Sequence, residues 1–235
     1  MSLDMTLVNE LEKKLKYKFK SYDLLEEALT HPSADIVEKK DYQRLEFLGD
    51  EVVGLGVSHL LYKSFPNAEE GHLSKARSNL IDESGLSFNA RNLDLGKMVI
   101  LGRGEEKMDG RNKDSILSDT FESLMGVIYL ESGWDEVFKI ISDIYTPLIE
   151  ASPDINDLLD HINRDYKTRL QEIAQELELP LPVYTLVERS GPEHSLVFTV
   201  ECSAVGYSAT GCGKNKKAAE QDAALKILQE MRVIN

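Results

Sequence analysis

Apolar positions fall at helical spacing through the first two thirds of the chain. Leu7, Leu11 and Leu15 recur every four residues, a period that lines one face of an α-helix. The run from Asp41 to Phe65 reads as one long apolar helix stopped by Pro66, because proline cannot donate to the helical ladder. Leu73 to Leu95 predicts one or two further helices. Residues 113–132 and 134–149 predict two more, parting near Gly133. Nothing in this half alternates polar and apolar residues as a half-buried strand does. At Ala151-Ser152-Pro153-Asp154 the pattern breaks, and the acidic stretch 152–164 reads as a linker containing a helical turn or two. Beyond it the period changes. Asp165 to Leu177 predicts an amphipathic helix, and Val183–Glu188 and Leu196–Ser203 predict strands split by Gly191-Pro192. A shorter strand at Val205–Thr210 ends at Gly211, and Asn215 to Met231 closes the chain as a helix. The expected organisation is an all-α domain over residues 5–151, a linker over 152–164, and a small α+β domain of order α-β-β-β-α over 165–235.

Composition changes this picture little. At 42% hydrophobic and 29% charged residues, the chain reads as ordinary globular protein. No apolar run approaches the roughly 20 residues of a membrane span, and the start of the chain lacks a signal peptide's apolar core. Two cysteines, Cys202 and Cys212, fit a reduced setting better than a disulfide framework. The expectation is a cytoplasmic protein with no membrane partner.

Charge changes it more. A net charge of −14 argues at first against nucleic acid. Residues 164–235, however, carry nine Lys/Arg against ten Asp/Glu and are near neutral, so the excess lies in the helical half. A domain that gathers carboxylates suits a metal ion, and phosphate contacts fall to cations concentrated elsewhere.

The candidate chemistry lies in two helical segments. In Gln43-Arg44-Leu45-Glu46-Phe47-Leu48-Gly49-Asp50, Glu46 and Asp50 stand four apart and share a face. Leu45, Phe47, Leu48, Val52, Val53, Leu55 and Val57 cover nearly every side, so this helix is expected to be largely buried. In Lys113 to Gly126, Asp119 and Glu122 stand three apart among Ile116, Leu117, Phe121, Leu124, Val127 and Ile128. Two acidic pairs are either solvated helix faces or oxygen ligands for a hard cation, since buried charges need a partner. No Cys/His cluster offers zinc as an alternative. Gly49, Gly54, Gly56 and Gly126 each weaken a helix by about 0.5–1 kcal/mol. Close packing of helices or of another chain would explain that cost. His31, His59, His72 and Trp134 read as structural residues.

Here the motifs carry a resemblance. Arg44-Leu45-Glu46-Phe47-Leu48-Gly49-Asp50 resembles the signature of the ribonuclease III family. Leu29-Thr30-His31, Gly102-Arg103-Gly104-Glu105 and Ser115 to Leu124 resemble its other blocks in order. The resemblance spans essentially the whole chain. It implies a magnesium-dependent endonuclease domain with Glu46, Asp50, Asp119 and Glu122 as metal-binding carboxylates, Asp50 and Glu122 being catalytic. It implies Glu70 as an accessory acidic residue and Phe47 as the aromatic plug of a homodimer. Cleavage of double-stranded RNA to 5′-phosphate and 3′-hydroxyl ends with short 3′ overhangs would follow, with roles in ribosomal RNA processing and messenger RNA maturation or decay. Gln43 departs from the signature, which more often has glutamate there.

Residues 165–232 resemble a double-stranded-RNA-binding domain. A-form RNA presents 2′-hydroxyls in a shallow minor groove and phosphates along a narrow major groove. Gln171 and Glu172 are then placed for one minor groove, and Pro192, Glu193 and His194 for the next. Lys214, Lys216 and Lys217 stand at a helix start, where free N–H groups favour phosphate. The alternative is a catalytically silent regulator that binds double-stranded RNA, which would need a damaged metal site. A purely structural ribosome-associated protein would need no buried acidic pairs.

Overall fold

A computed structural model describes residues 3–34, 40–162, 166–190, 196–213, 215–231 and 233. The chain divides into two compact units, Met1–Ile162 and Asn163–Asn235.

The first unit is helical: α1 (Met5–Leu15), α2 (Tyr22–Ala28), α3 (Gln43–Ser64), α4 (Glu70–Leu80), α5 (Glu83–Asn92), α6 (Arg103–Lys107), α7 (Asp114–Glu150) and α8 (Ile155–Ile162). Side-chain caps start several of them. Asp4 accepts from the Thr6 N–H at 2.8 Å, Ser21 from Leu24 at 3.2 Å, and Asp82 from Gly85 at 2.7 Å, relieving donors left over at a helix N-terminus. α7 contains the break expected near Gly133, whose φ of 78° and ψ of −174° leave the helical region. The core gathers on α3 and α7, where Val53, Val57, Phe121, Leu124, Met125, Ile128 and Ile141 are buried.

Two expectations need correction here. Residues 152–164 are not simply a linker. Residues 155–162 form α8, which packs beside α4 with Ile155, Leu158 and Leu159 in the core. Asp154 accepts from the N–H groups of Asn156 and Asp157 at 2.7 and 3.1 Å and so begins this helix. The second correction concerns α3, whose apolar residues split into two stripes. Leu45, Val52, Val53, Val57 and Leu61 face the core, but Phe47 is 78% exposed, Leu55 58% and Tyr62 74%. The excess apolar surface is open within the single chain.

The second unit contains α9 (Tyr166–Glu176), a three-stranded antiparallel sheet of β1 (Val183–Ser190), β2 (Val197–Ala204) and β3 (Tyr207–Gly213) in that order, and α10 (Lys216–Glu230). Val205 and Gly206, both at positive φ, make the two-residue turn between β2 and β3, a geometry that matches the twist of a hairpin. β3 therefore starts two residues later than expected, at Tyr207, and runs three residues past Thr210, to Gly213. α10 uses its small face to lie close to this strand: a Cβ on Gly211 would stand 2.2 Å from the Ala223 nitrogen. Leu170, Ile173, Cys202, Ala223, Ala224, Ile227 and Leu228 form the core. Cys202 is buried and Cys212 exposed, and both are free thiols.

Candidate functional site

The site begins with glycine. α3 and α7 approach so closely that a Cβ on Gly49 would lie 1.8 Å from the Glu122 carbonyl oxygen. One on Gly126 would lie 2.5 Å from that of Leu45. Any side chain at these two positions would push the helices apart. The contact brings Glu46, a turn ahead of Gly49, onto the same spot as Asp119 and Glu122. One carboxylate oxygen from each of the three lies within 4.8 Å of the others.

Packed helices therefore force like charges together in a half-buried place. Burial first, then the neighbouring carboxylates Asp50, Asp119 and Glu46, push the Glu122 carboxyl up to about 8. Burial and Asp119, Asp41 and Asp50 raise Glu46 as well. Asp119 accepts a hydrogen bond from the Tyr42 hydroxyl at 2.9 Å. The side chains of Glu46 and Glu122 have no hydrogen-bond or ion-pair partner among the described residues. Partly buried carboxylates without partners are costly. An all-oxygen donor set of this kind suits a hard divalent cation. The three oxygens lie close enough together for one hard cation to be shared among them. The residues present fit the metal.

The other predicted site residues fall around this group. Asp50 is exposed and outside the three-carboxylate cluster, yet close enough to act on Glu122. Glu70 is exposed at the start of α4, accepts from Ser74 Oγ at 2.7 Å, and also lies outside the cluster. It lines a cavity of about 370 Å³ with Leu55, Tyr62, Leu73 and Arg77. Phe47, next to Glu46 on α3, is largely exposed. Gln43 is exposed at the first turn of α3. Sequence reasoning missed Tyr42: nothing in the spacing tells that the residue before the helix reaches across to Asp119.

In the second unit, Gln171 and Glu172 are exposed on α9, Glu172 lying 3.5 Å from Arg169. Lys216 and Lys217 are exposed in the first turn of α10, whose cap Asn215 accepts from the Ala218 N–H at 2.8 Å. Gln171 and Lys217 line one cleft of about 360 Å³ with Lys167, Thr168, Tyr184 and Gln221. Lys167 pairs with Glu220 and sits over the Tyr184 ring at 4.7 Å, which seats α9 against α10. Pro192, Glu193, His194 and Lys214 lie outside the described residues.

Known proteins agree with this division. A family described as Ribonuclease-III-like matches residues 21–148, and the double-stranded RNA binding motif matches residues 166–231. The chain is 40% identical over 233 residues to Ribonuclease 3 of Caldanaerobacter subterraneus subsp. tengcongensis, covering 97% of this chain and 100% of that one. It is 42% identical over 227 residues to Ribonuclease 3 of a Sulfurovum species, covering 95% and 98%. Among solved structures, the nuclease domain of ribonuclease III from Campylobacter jejuni, reported for flexibility in a region involved in dimer formation, superposes with a TM-score of 0.54–0.55. Its two structures are each 38% identical to this chain and cover 58% and 59% of it, and 94% and 99% of their own.

Proposed function

The chain belongs to the ribonuclease III family, and we propose that its Glu46, Asp119 and Glu122 hold magnesium at the centre where double-stranded RNA is cut. The activity is that of an endoribonuclease acting on double-stranded RNA, and the family is metal-dependent. The observation that carries the metal assignment is the group of three oxygens within 4.8 Å of one another, two of whose carboxylates have no other partner.

Bound magnesium supplies Lewis acidity and a more acidic water for in-line displacement at phosphorus. The protein's own part is to fix the geometry. α3 and α7 hold the carboxylates on rigid packed elements, and Asp119 is oriented through Tyr42. Asp50, in this reading the fourth metal-binding carboxylate and catalytic with Glu122, stands at the exposed edge, where Glu70 is the accessory acid. Crowded carboxylates repel a phosphate backbone, so much of the binding energy has to come from elsewhere. The second unit supplies it: Lys216 and Lys217 meet phosphates while Gln171 and Glu172 face a minor groove. Pro192, Glu193, His194 and Lys214 complete that surface in this reading.

Two copies act together. The exposed stripe of Phe47, Leu55 and Tyr62 is the face on which a second copy docks, with Phe47 entering the partner. An isologous dimer presents two centres related by a two-fold axis, so both strands are cut, leaving 5′-phosphates, 3′-hydroxyls and short 3′ overhangs. Among the described residues no helix is long and apolar enough to cross a membrane. We place the enzyme in the cytoplasm, with ribosomal and messenger RNA precursors as substrates.

The test is direct. Perfect duplex RNA is incubated with the protein in magnesium and in chelator, beside one of its strands alone. Cleavage of the duplex only, and only with metal, is the expected result. Chelator-resistant cleavage would overturn the metal assignment. Tight duplex binding without cleavage in any divalent metal would favour the silent regulator.

A further inference from the structure

The three carboxylates are not held alike. Glu46 and Glu122 have no side-chain partner among the described residues, whereas Asp119 Oδ2 accepts from the Tyr42 hydroxyl at 2.9 Å. The Ser118 hydroxyl, 3.4 Å from Asp119 Oδ1, is at the limit of bonding distance and donates instead to the Ser115 carbonyl at 2.8 Å.

Tyr42 is built to deliver that bond. It is 2% exposed although it stands just before α3 in the chain. Its backbone N–H donates to the Thr30 carbonyl at 3.0 Å, and its ring meets His31 edge to face at 5.7 Å. His31 and Thr30 are themselves tied to the segment before α6. The His31 N–H donates to the Ile100 carbonyl at 3.0 Å, Ile100 donates to Leu29 at 2.7 Å, and Gly102 donates to Ser33 Oγ at 3.0 Å. Three stretches of chain therefore clamp one aromatic ring whose oxygen ends on Asp119. A phenolic hydroxyl keeps its proton at neutral pH and can donate a hydrogen bond to a carboxylate. A donor that binds one carboxylate oxygen leaves the other directed and free. Such outer partners usually set how well a ligand meets its metal.

We propose that Tyr42 is a positioning residue of the metal centre, its hydroxyl fixing the Asp119 carboxylate in the orientation that binds the divalent ion. The inference rests on the reading of Glu46, Asp119 and Glu122 as metal ligands. It separates the roles within the site: Asp119 is pre-set by the fold, while Glu46 and Glu122 settle when the ion arrives.

The experiment uses Tyr42→Phe, which removes one oxygen, in the full chain. Magnesium and manganese are titrated calorimetrically without RNA, and the rate of duplex cleavage is then measured against metal concentration. The expected result is a metal dissociation constant raised about tenfold, with the maximal rate at saturating metal within about threefold of the unaltered enzyme. RNA affinity in chelator should be unchanged. Tyr17→Phe is the control, since that buried phenol also bonds a carboxylate, Glu131, at 2.8 Å but belongs to a different network with Ser132. It should lower the melting temperature without moving metal affinity. A Tyr42→Phe protein that binds metal within twofold of the unaltered one overturns the proposal. So does one that fails to fold, which would assign the hydroxyl to the fold alone, and so does an equal loss in Tyr17→Phe. The underlying reading fails separately, if the unaltered protein shows no saturable metal binding that Glu122→Gln removes.

Discussion

The helical unit and the RNA-binding unit handle charge in opposite ways. In the first, packing drives three carboxylates into one half-buried place and raises two of them above their ordinary range. In the second, Glu172, Lys216 and Lys217 stand exposed at helix surfaces and starts. Crowded like charges make a place where one cation is worth a great deal. Dispersed exposed charges make a surface where each contact is worth little and the sum gives affinity. The lesson is that one residue can switch off the chemistry, but no single residue should switch off binding.

Glu122→Gln is the severest way to break the comparison. It keeps the shape next to Gly49 and removes the most perturbed carboxylate. Duplex cleavage at saturating magnesium should fall roughly a thousandfold or more, about 4 kcal/mol of barrier. Duplex affinity, measured by electrophoretic shift in chelator, should stay within about twofold. Loss of both together would mean that Glu122 holds the fold, and the contrast between the units would collapse.

The next largest effect belongs to the second unit. Reversing both Lys216 and Lys217 to glutamate should weaken duplex binding about tenfold or more at 0.15 M salt. It should also flatten the dependence of log affinity on log salt by roughly one to two. Either reversal alone should do less, and the cleavage rate at saturating RNA should barely move. An affinity indifferent to the double reversal would show that the lysines are solvated surface.

The same contrast explains what was legible beforehand. The helical half, the break near Gly133 and the α-β-β-β-α order follow from periodicity and turn residues, which are local. Acidic pairs at helical spacing inside apolar runs pointed to Glu46, Asp50, Asp119 and Glu122, and three of these four carboxylates come together while Asp50 stands outside the group. Which helices cross is a tertiary matter, so the role of Gly49 and Gly126 showed only as an unexplained cost. Pattern alone also cannot tell a core stripe from a docking stripe. Leu55 stood among the apolar residues expected to bury α3, and it is exposed, whereas the exposure of Phe47 could be expected only from the family resemblance. α8 was hidden differently: Ile155, Leu158, Leu159 and Ile162 keep helical spacing, but acidic neighbours and Pro153 made the stretch look like linker.

A smaller effect concerns pH and sharpens the comparison from the side of stability. Without metal, the Glu122 carboxyl sits at about 8 in the folded chain, against roughly 4.3 when unfolded. The folded state thus holds this proton more tightly. That contribution is complete below the unfolded value and is lost as pH rises through about 8. In chelator, the melting temperature of the helical unit should therefore decline between about pH 5 and pH 8.5. Glu122→Gln should decline less steeply, and magnesium should restore the unaltered protein at the alkaline end. Parallel slopes for the two proteins would show that Glu122 ionises normally.

The smallest effect is expected at Gln43, where the family signature more often has glutamate. The position is exposed in the first turn of α3, three residues before Glu46. The amide keeps the length and the hydrogen-bonding reach of glutamate without its charge. Were position 43 a ligand, a neutral amide would cripple the centre, yet three carboxylates already converge without it. A charge restored at an exposed rim acts through water and is screened by salt. Gln43→Glu should therefore change the maximal cleavage rate less than about tenfold, or about 1.4 kcal/mol of barrier. The half-saturating magnesium concentration should shift modestly, and more at low salt than at high. A gain of a hundredfold at saturating magnesium would place position 43 among the ligands, and the natural chain would then be a weakened nuclease rather than a complete one.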